Sequence, residues 1–153
     1  MNVRRAKEEE IDYLVDMFSR MYRLNSEFDP LLQVPDNLEE KIQKILKEDF
    51  KKDNVILAVA EENGKVIGSA RVVIANRDFY IPEKVGIIQE IYVYPVYRRR
   101  NVGEKLLDYL YSELKKNDIS VILALFPSKN IISTSFYTKK GFRELHNEFI
   151  RQI

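Results

Sequence analysis

Three consecutive arginines, Arg98, Arg99 and Arg100, stand just ahead of Gly103 where an apolar run gives way to an amphipathic one, in the stretch QEIYVYPVYRRRNVGEKLL from Gln89 to Leu107. Guanidinium groups fork onto phosphate oxygens. The first amides of a helix lack intrahelical partners and carry the positive end of its dipole. A strand, a proline, an arginine-rich turn and a helix start in this order therefore make a site for an anionic, phosphate-bearing ligand. Arginine runs also occur as solvated turns, and it is the order of the parts that argues for a site.

The elements that must position these groups follow from periodicity. From Val85 to Tyr94 the residues suit a strand, which Pro95 ends by removing a ladder donor. Leu106, Leu107, Leu110 and Leu114 recur at helical spacing, so a helix is predicted from about Val102 to Lys116. Upstream, Asn2–Ala6 reads as a strand, and Ile11, Leu14, Val15, Phe18 and Tyr22 as one face of a helix ending near Tyr22. LNSEFDPLLQVPD, from Leu24 to Asp36, reads as a loop. Asn37 and Glu40 suggest a capping box for a second helix. Val55–Ala60 and Val66–Ile74 flank Asn63-Gly64, the strongest short hairpin signal. Ser120–Phe126 is an apolar run of strand length expected to be buried on both faces. Asn130–Lys140 reads as a helix ended by Gly141, and Phe142–Arg151 as a last strand.

The stretch around the arginines resembles the coenzyme-A-binding motif of the GNAT superfamily of acyl-CoA-dependent N-acetyltransferases: a strand ending near a proline, then Arg or Gln, two residues, Gly, one residue, and Gly or Ala. Arg98 and Gly103 fill the outer positions, and Asn101 replaces the first glycine. Asn tolerates left-handed backbone better than most residues, so the loop should be preserved. Asn130, Tyr137 and the pair Gly141-Phe142 resemble the second signature of the family. The resemblance implies an α/β (α+β) fold with a mixed, mostly antiparallel sheet of six to seven strands in the order β-α-α-β-β-β-α-β-α-β. It assigns coenzyme A to Ile91, Tyr92 and Val93, to Arg98, Arg99, Arg100, Asn101, Val102, Gly103 and Glu104, and to Asn130 and Tyr137. Ile91 and Val93 would pair with the pantetheine arm, the turn amides would hold the pyrophosphate, and Asn130 would contact a pantetheine amide.

Acetyl transfer from acetyl-CoA to an amine needs the amine neutral, and a lysine-like amine has a pKa of about 10.4. Glu90 is the first candidate for the base, although a β-bulge in its strand would decide whether it or Gln89 enters the site. A backbone N–H near Tyr92 or Val93 could face the oxyanion. The resemblance gives Tyr137, at the position of the family's motif tyrosine, the return of a proton to the departing sulfur, for which a phenol is a suitable donor. The acceptor, a small-molecule or peptide amine, would meet Leu24–Asp36 and His146–Ile153, where Glu27, Asp29 and Asp36 could join Glu90 in attracting a cation. A non-catalytic coenzyme-A-binding module of the same fold is the alternative.

Composition narrows the classes further. The 153 residues, 45% of them apolar, suit a single domain, 1–153. With no cysteine and one histidine, His146, thiolate nucleophiles and Cys- or multi-His metal sites are excluded, and direct attack in a ternary complex is expected, with no metal. A net charge of +1, from 25 basic and 24 acidic residues, argues against a nucleic-acid partner. No leader or membrane segment is evident, so a cytoplasmic protein is expected; a homodimer is admitted but not required.

Overall fold

A computed structural model describes residues 1–153. The chain forms β1 (Asn2–Arg5), α1 (Ile11–Asn25), α2 (Leu38–Asp49), β2 (Val55–Glu62), β3 (Lys65–Asn76), β4 (Lys84–Val93), α3 (Val102–Lys116), β5 (Ile122–Ala124) and α4 (Ile131–Lys139). The strands lie in the order β1-β2-β3-β4-β5, antiparallel except for the β4–β5 pair. At the β2–β3 turn, Asn63 (φ 51°) and Gly64 (φ 77°) both take left-handed backbone, as a two-residue hairpin turn demands.

The core divides between the two faces of the sheet because β2 sends alternate side chains to each. Val55, Leu57 and Val59 pack with Leu14, Met17, Phe18, Leu38 and Leu46 of α1 and α2. Ile56, Ala58 and Ala60 pack with Leu106, Leu107, Leu110 and Leu114 of α3. Every one of these four α3 leucines is buried, which holds the start of α3 at a fixed height over β4.

Four sequence expectations are corrected. Helix α1 continues through Asn25, one turn beyond Tyr22, since no breaker precedes Pro30. The Asn37 side chain makes no capping bond, so the capping box is absent. The fifth expected strand, Ser120–Phe126, shrinks to the three residues Ile122–Ala124, which are half-buried rather than buried on both faces. The segment Phe142–Arg151 forms no strand, leaving five strands instead of six to seven. Strand composition needs an edge to pair with: beyond Phe142 no backbone amide enters a backbone hydrogen bond, and Phe149 and Ile150 remain exposed. β5 is consequently an edge strand, open on its outer side.

Leu110 is fully buried against the β2–β4 surface. Leu110→Ala is expected to cost about 2–5 kcal/mol of stability by transfer and cavity terms, read as a lowered denaturant midpoint with an unchanged slope.

Candidate active site

Strand β4 carries the local irregularity that builds the site. Arg71 of β3 pairs with Glu90, but the next residue, Val72, pairs with Ile88, so Gln89 is an extra residue in β4, a β-bulge. The bulge resets alternation. Ile88 and Ile91 both pack on the α3 side, whereas Glu90 and Tyr92 turn to the α1 side. β4 and β5 pair only from Gly86–Ile122 to Ile88–Ala124. Past Ile88, β4 keeps β3 on one side and borders a cavity on the other.

The turn that follows presents its backbone outward. Arg99 (φ 67°) and Asn101 (φ 61°, ψ 23°) take left-handed conformations, a departure that asparagine accommodates locally. From Arg99 to Glu104, six consecutive amides donate to no group of the chain; the first helical bond is Lys105 N–H to the Asn101 carbonyl at 3.0 Å. Such concave runs of amides at a helix start bind anions. The arginines divide in role. Arg98 donates to the Val93 carbonyl at 3.0 Å and lies over the Tyr92 ring. Arg100 pairs with Glu62 at 2.9 Å and lies outside the cavity. Arg99 lines the cavity and has no ion-pair or hydrogen-bonding partner in the chain. A β-carbon on Gly103 would come within 3.3 Å of the Phe136 ring, so this glycine serves the approach of α4 to α3.

Helix α4 supplies the opposite wall. The Asn130 Oδ1 accepts from Ser133 N–H at 3.1 Å, capping the helix, and its Nδ2 makes no hydrogen bond within the chain. At the other end Gly141 (φ 90°) allows Gly141 N–H to reach the Thr138 carbonyl and Phe142 N–H to reach the Tyr137 carbonyl, at 3.1 and 3.0 Å. That Schellman closure puts Phe142 against Tyr137 at a ring separation of 5.0 Å, while Phe126 stacks on the other side at 5.2 Å. Tyr137 is thus clamped between aromatic rings and is 5% exposed. Its hydroxyl has no partner in the chain, yet no buried polar atom is left unsatisfied, so the hydroxyl opens to the cavity that Tyr137 lines. Burial raises its pKa well above the ordinary phenol value and keeps it protonated.

Glu90, 4% exposed, sits in a buried network. Arg71 Nη1 donates to Oε1 and Oε2 at 3.0 and 3.1 Å, the Tyr22 hydroxyl donates to Oε2, and Arg71 Nε donates to Asp49 Oδ2 at 2.7 Å. Desolvation raises the Glu90 pKa above the usual carboxylate value, and Arg71 only partly offsets this.

One cavity of about 580 Å³ joins these parts. It is lined by β4 from Ile88 to Val93, the turn and start of α3, Asn130 and Tyr137 of the α4 wall, and Met21, Leu24, Asn25 and Phe28 at the end of α1. Of the residues assigned to coenzyme A and to proton transfer, Arg100 alone does not line the cavity. Of the expected acceptor walls, the Leu24–Asp36 loop contributes Leu24, Asn25 and Phe28, but Glu27, Asp29 and Asp36 do not reach the cavity, and neither does any residue from His146 to Ile153.

A family model for the acetyltransferase (GNAT) family matches residues 14–142. The chain belongs to the GNAT family. Among curated proteins no relative matches it by sequence. Solved GNAT-like structures agree in fold along its whole length. The aminoglycoside 6'-N-acetyltransferase AAC(6')-IG from Acinetobacter haemolyticus is 17% identical, with 100% of this chain and 99% of that one covered and a TM-score of 0.79. A predicted acetyltransferase from Clostridium acetobutylicum, solved with acetyl-CoA, is 19% identical over 99% of this chain and 95% of that one, TM-score 0.81. The aminoglycoside N-acetyltransferase AAC(6')-Iy, solved with CoA, is 15% identical over 99% and 98%, TM-score 0.77.

Within this GNAT chain, sequence reading missed Arg71, Asp49, Met21, Lys139 and Lys140, and took Tyr22 as core only. The one available signal was Glu90 itself, since a carboxylate in a strand otherwise apolar requires a cation on the facing strand. Arg71→Met should leave Glu90 buried without its cation and cost about 3–5 kcal/mol at pH 8. Because the folded pKa of Glu90 is raised, the folded state binds more protons than the unfolded one just above the ordinary carboxylate range, and stability falls as pH rises there. The deficit of the variant should therefore shrink toward acidic pH, measured as urea midpoints from pH 5 to 8; a pH-independent deficit would argue that Glu90 is not the group left exposed to desolvation.

Proposed function

We propose that this protein transfers the acetyl group of acetyl-CoA to a primary amine by direct attack within a ternary complex. The observation that carries the reading is the meeting, in one cavity, of six unpartnered amides, the open side of β4, and two titratable side chains on different walls, Glu90 and Tyr137. These parts fit the cosubstrate. The amides from Arg99 to Glu104, with Arg99 beside them, would take the pyrophosphate. Ile91 and Val93 would take the pantetheine amides, Arg98 first releasing the Val93 carbonyl. Asn130 Nδ2 is free to donate while Oδ1 caps α4. The thioester supplies an activated acyl carbon and a sulfur leaving group.

Glu90 is the acceptor of the amine proton, directly or through water. Its pKa, raised by burial, makes it a better proton acceptor than an exposed glutamate once ionised. Tyr137, held protonated by burial, is the donor that completes the exchange at the sulfur. With no cysteine in the chain, no thiol enzyme intermediate can intervene.

The test is thiol release from acetyl-CoA in the presence of primary amines. Tyr137→Phe is expected to lower kcat by about 10²-fold or more with little change in the KM for acetyl-CoA. The kcat/KM profile should show an acidic limb above the ordinary carboxylate range, activity falling as Glu90 takes up its proton, and Glu90→Gln should abolish that limb. A limb that persists unchanged in Glu90→Gln belongs to the amine and removes Glu90 from the base role. Full activity in Tyr137→Phe removes the tyrosine.

A further inference from the structure

We infer that the acceptor is a monoamine carried on an apolar body, an alkylamine or arylalkylamine, and that the site discriminates against polycations. This rests on the acetyltransferase reading above and concerns the α1 end of the cavity, formed by Met21, Leu24, Asn25 and Phe28 with Gln89 and Glu90 across from them.

Charge decides first. The only carboxylates lining the cavity are Glu90 and Glu104. Both Glu90 oxygens are already engaged by Arg71 and one by Tyr22 as well, and Glu104 pairs with Lys140 at 2.8 Å on the α3 side. Asp16, nearby on α1, does not line the cavity and is held by Arg20 and the Tyr94 hydroxyl at 3.0 and 2.6 Å. No carboxylate is left to receive a second ammonium group. A second ammonium entering here would lose its water without gaining a carboxylate partner. A single amine avoids this cost by giving up its proton near Glu90.

Surface decides next. Met21, Leu24 and Phe28 offer apolar and aromatic walls to whatever carries the amine, and burying an alkyl or aryl body there is favourable in proportion to the area removed from water. Leu24 keeps 41% of its surface exposed, an apolar rim with nothing yet covering it. Two structural neighbours bear the name of aminoglycoside acetyltransferases, whose substrates are polycations; the charge at this end of the present cavity is unsuited to such molecules.

The full chain is tested with acetyl-CoA and four acceptors: 2-phenylethylamine, hexylamine, spermidine and kanamycin. The kcat/KM for the first two is expected to exceed that for the last two by about tenfold or more. Equal or greater kcat/KM for spermidine or kanamycin overturns the inference. Asn25→Asp, nearly isosteric, and Leu24→Glu, at an exposed rim, each add a carboxylate and should narrow the ratio several-fold in favour of spermidine; ratios unchanged in both variants overturn it. If no amine releases thiol, the catalytic reading has failed, and calorimetry with CoA-saturated protein decides the present point separately. Binding of 2-phenylethylamine about tenfold tighter than spermidine upholds the apolar acceptor site, while the reverse order, or binding of neither, rejects it.

Discussion

Beyond Ile88 the backbone of β4 has a hydrogen-bonding partner on one side only. β3 stays paired through Val93, but β5 contributes three residues and then leaves. A strand interior with a free side is costly unless water or a ligand meets its polar groups. The bulge at Gln89 lies one residue past the last β4–β5 pair, which is where a change of twist and of side-chain facing is needed. One extra residue therefore has two effects: it aims Glu90 at α1 and it falls where the sheet opens. The cavity is a consequence of the sheet's own geometry rather than a dent in its surface.

The end of the cavity lined by free amides depends on the same opening by a different route. α3 is anchored by Val102, Leu106, Leu107, Leu110 and Leu114, all buried against the α3-side face of the sheet, so its first turn cannot tilt away. Pro95 and the short 3-10 turn Pro95–Tyr97 end β4 abruptly. Between these fixed points only a few residues remain, and two of them, Arg99 and Asn101, take left-handed backbone to close the gap. That closure turns six amides away from internal acceptors. The positive region at this end comes more from oriented peptide groups, the helix dipole and Arg99 than from three arginines acting together, since Arg98 and Arg100 are tied within the chain.

Local chemistry was legible in the sequence at the turns where a residue must take left-handed backbone, though not at Asn37, whose side chain makes no capping bond. Asn63-Gly64 gave the hairpin, Asn101 the left-handed turn, and Gly141 the closure after α4, because each demand is met within a few residues. Long-range pairing was not legible. Nothing in Phe142–Arg151 says whether an edge will accept it, and its strand composition therefore misled. The same holds for Arg71 and Glu90, which face each other across β3 and β4 only in the register that the bulge sets. The acidic residues of the loop after α1 misled for a related reason. Asp29 spends its carboxylate on the Leu31 amide at 2.8 Å, capping the turn at Pro30, while the hydrophobic Leu24 and Phe28 turn toward the cavity.

The buried network around Glu90 bears on how the base proposed for the reaction could sit where it is expensive to ionise. A glutamate at the surface would be ionised at all relevant pH values but would be a weak proton acceptor. Full burial without a cation would leave it neutral and useless as a base. Arg71, itself shared with Asp49, partly offsets that desolvation, and the Tyr22 hydroxyl adds a second donor to one of the two oxygens that Arg71 engages. Tyr22 belongs to the same helix that carries Met21, Leu24 and Asn25 to the cavity. The extra turn of α1 thus does more than extend the core: it couples the wall proposed for the acceptor to the carboxylate that would take its proton, so a shift of this helix would change both together.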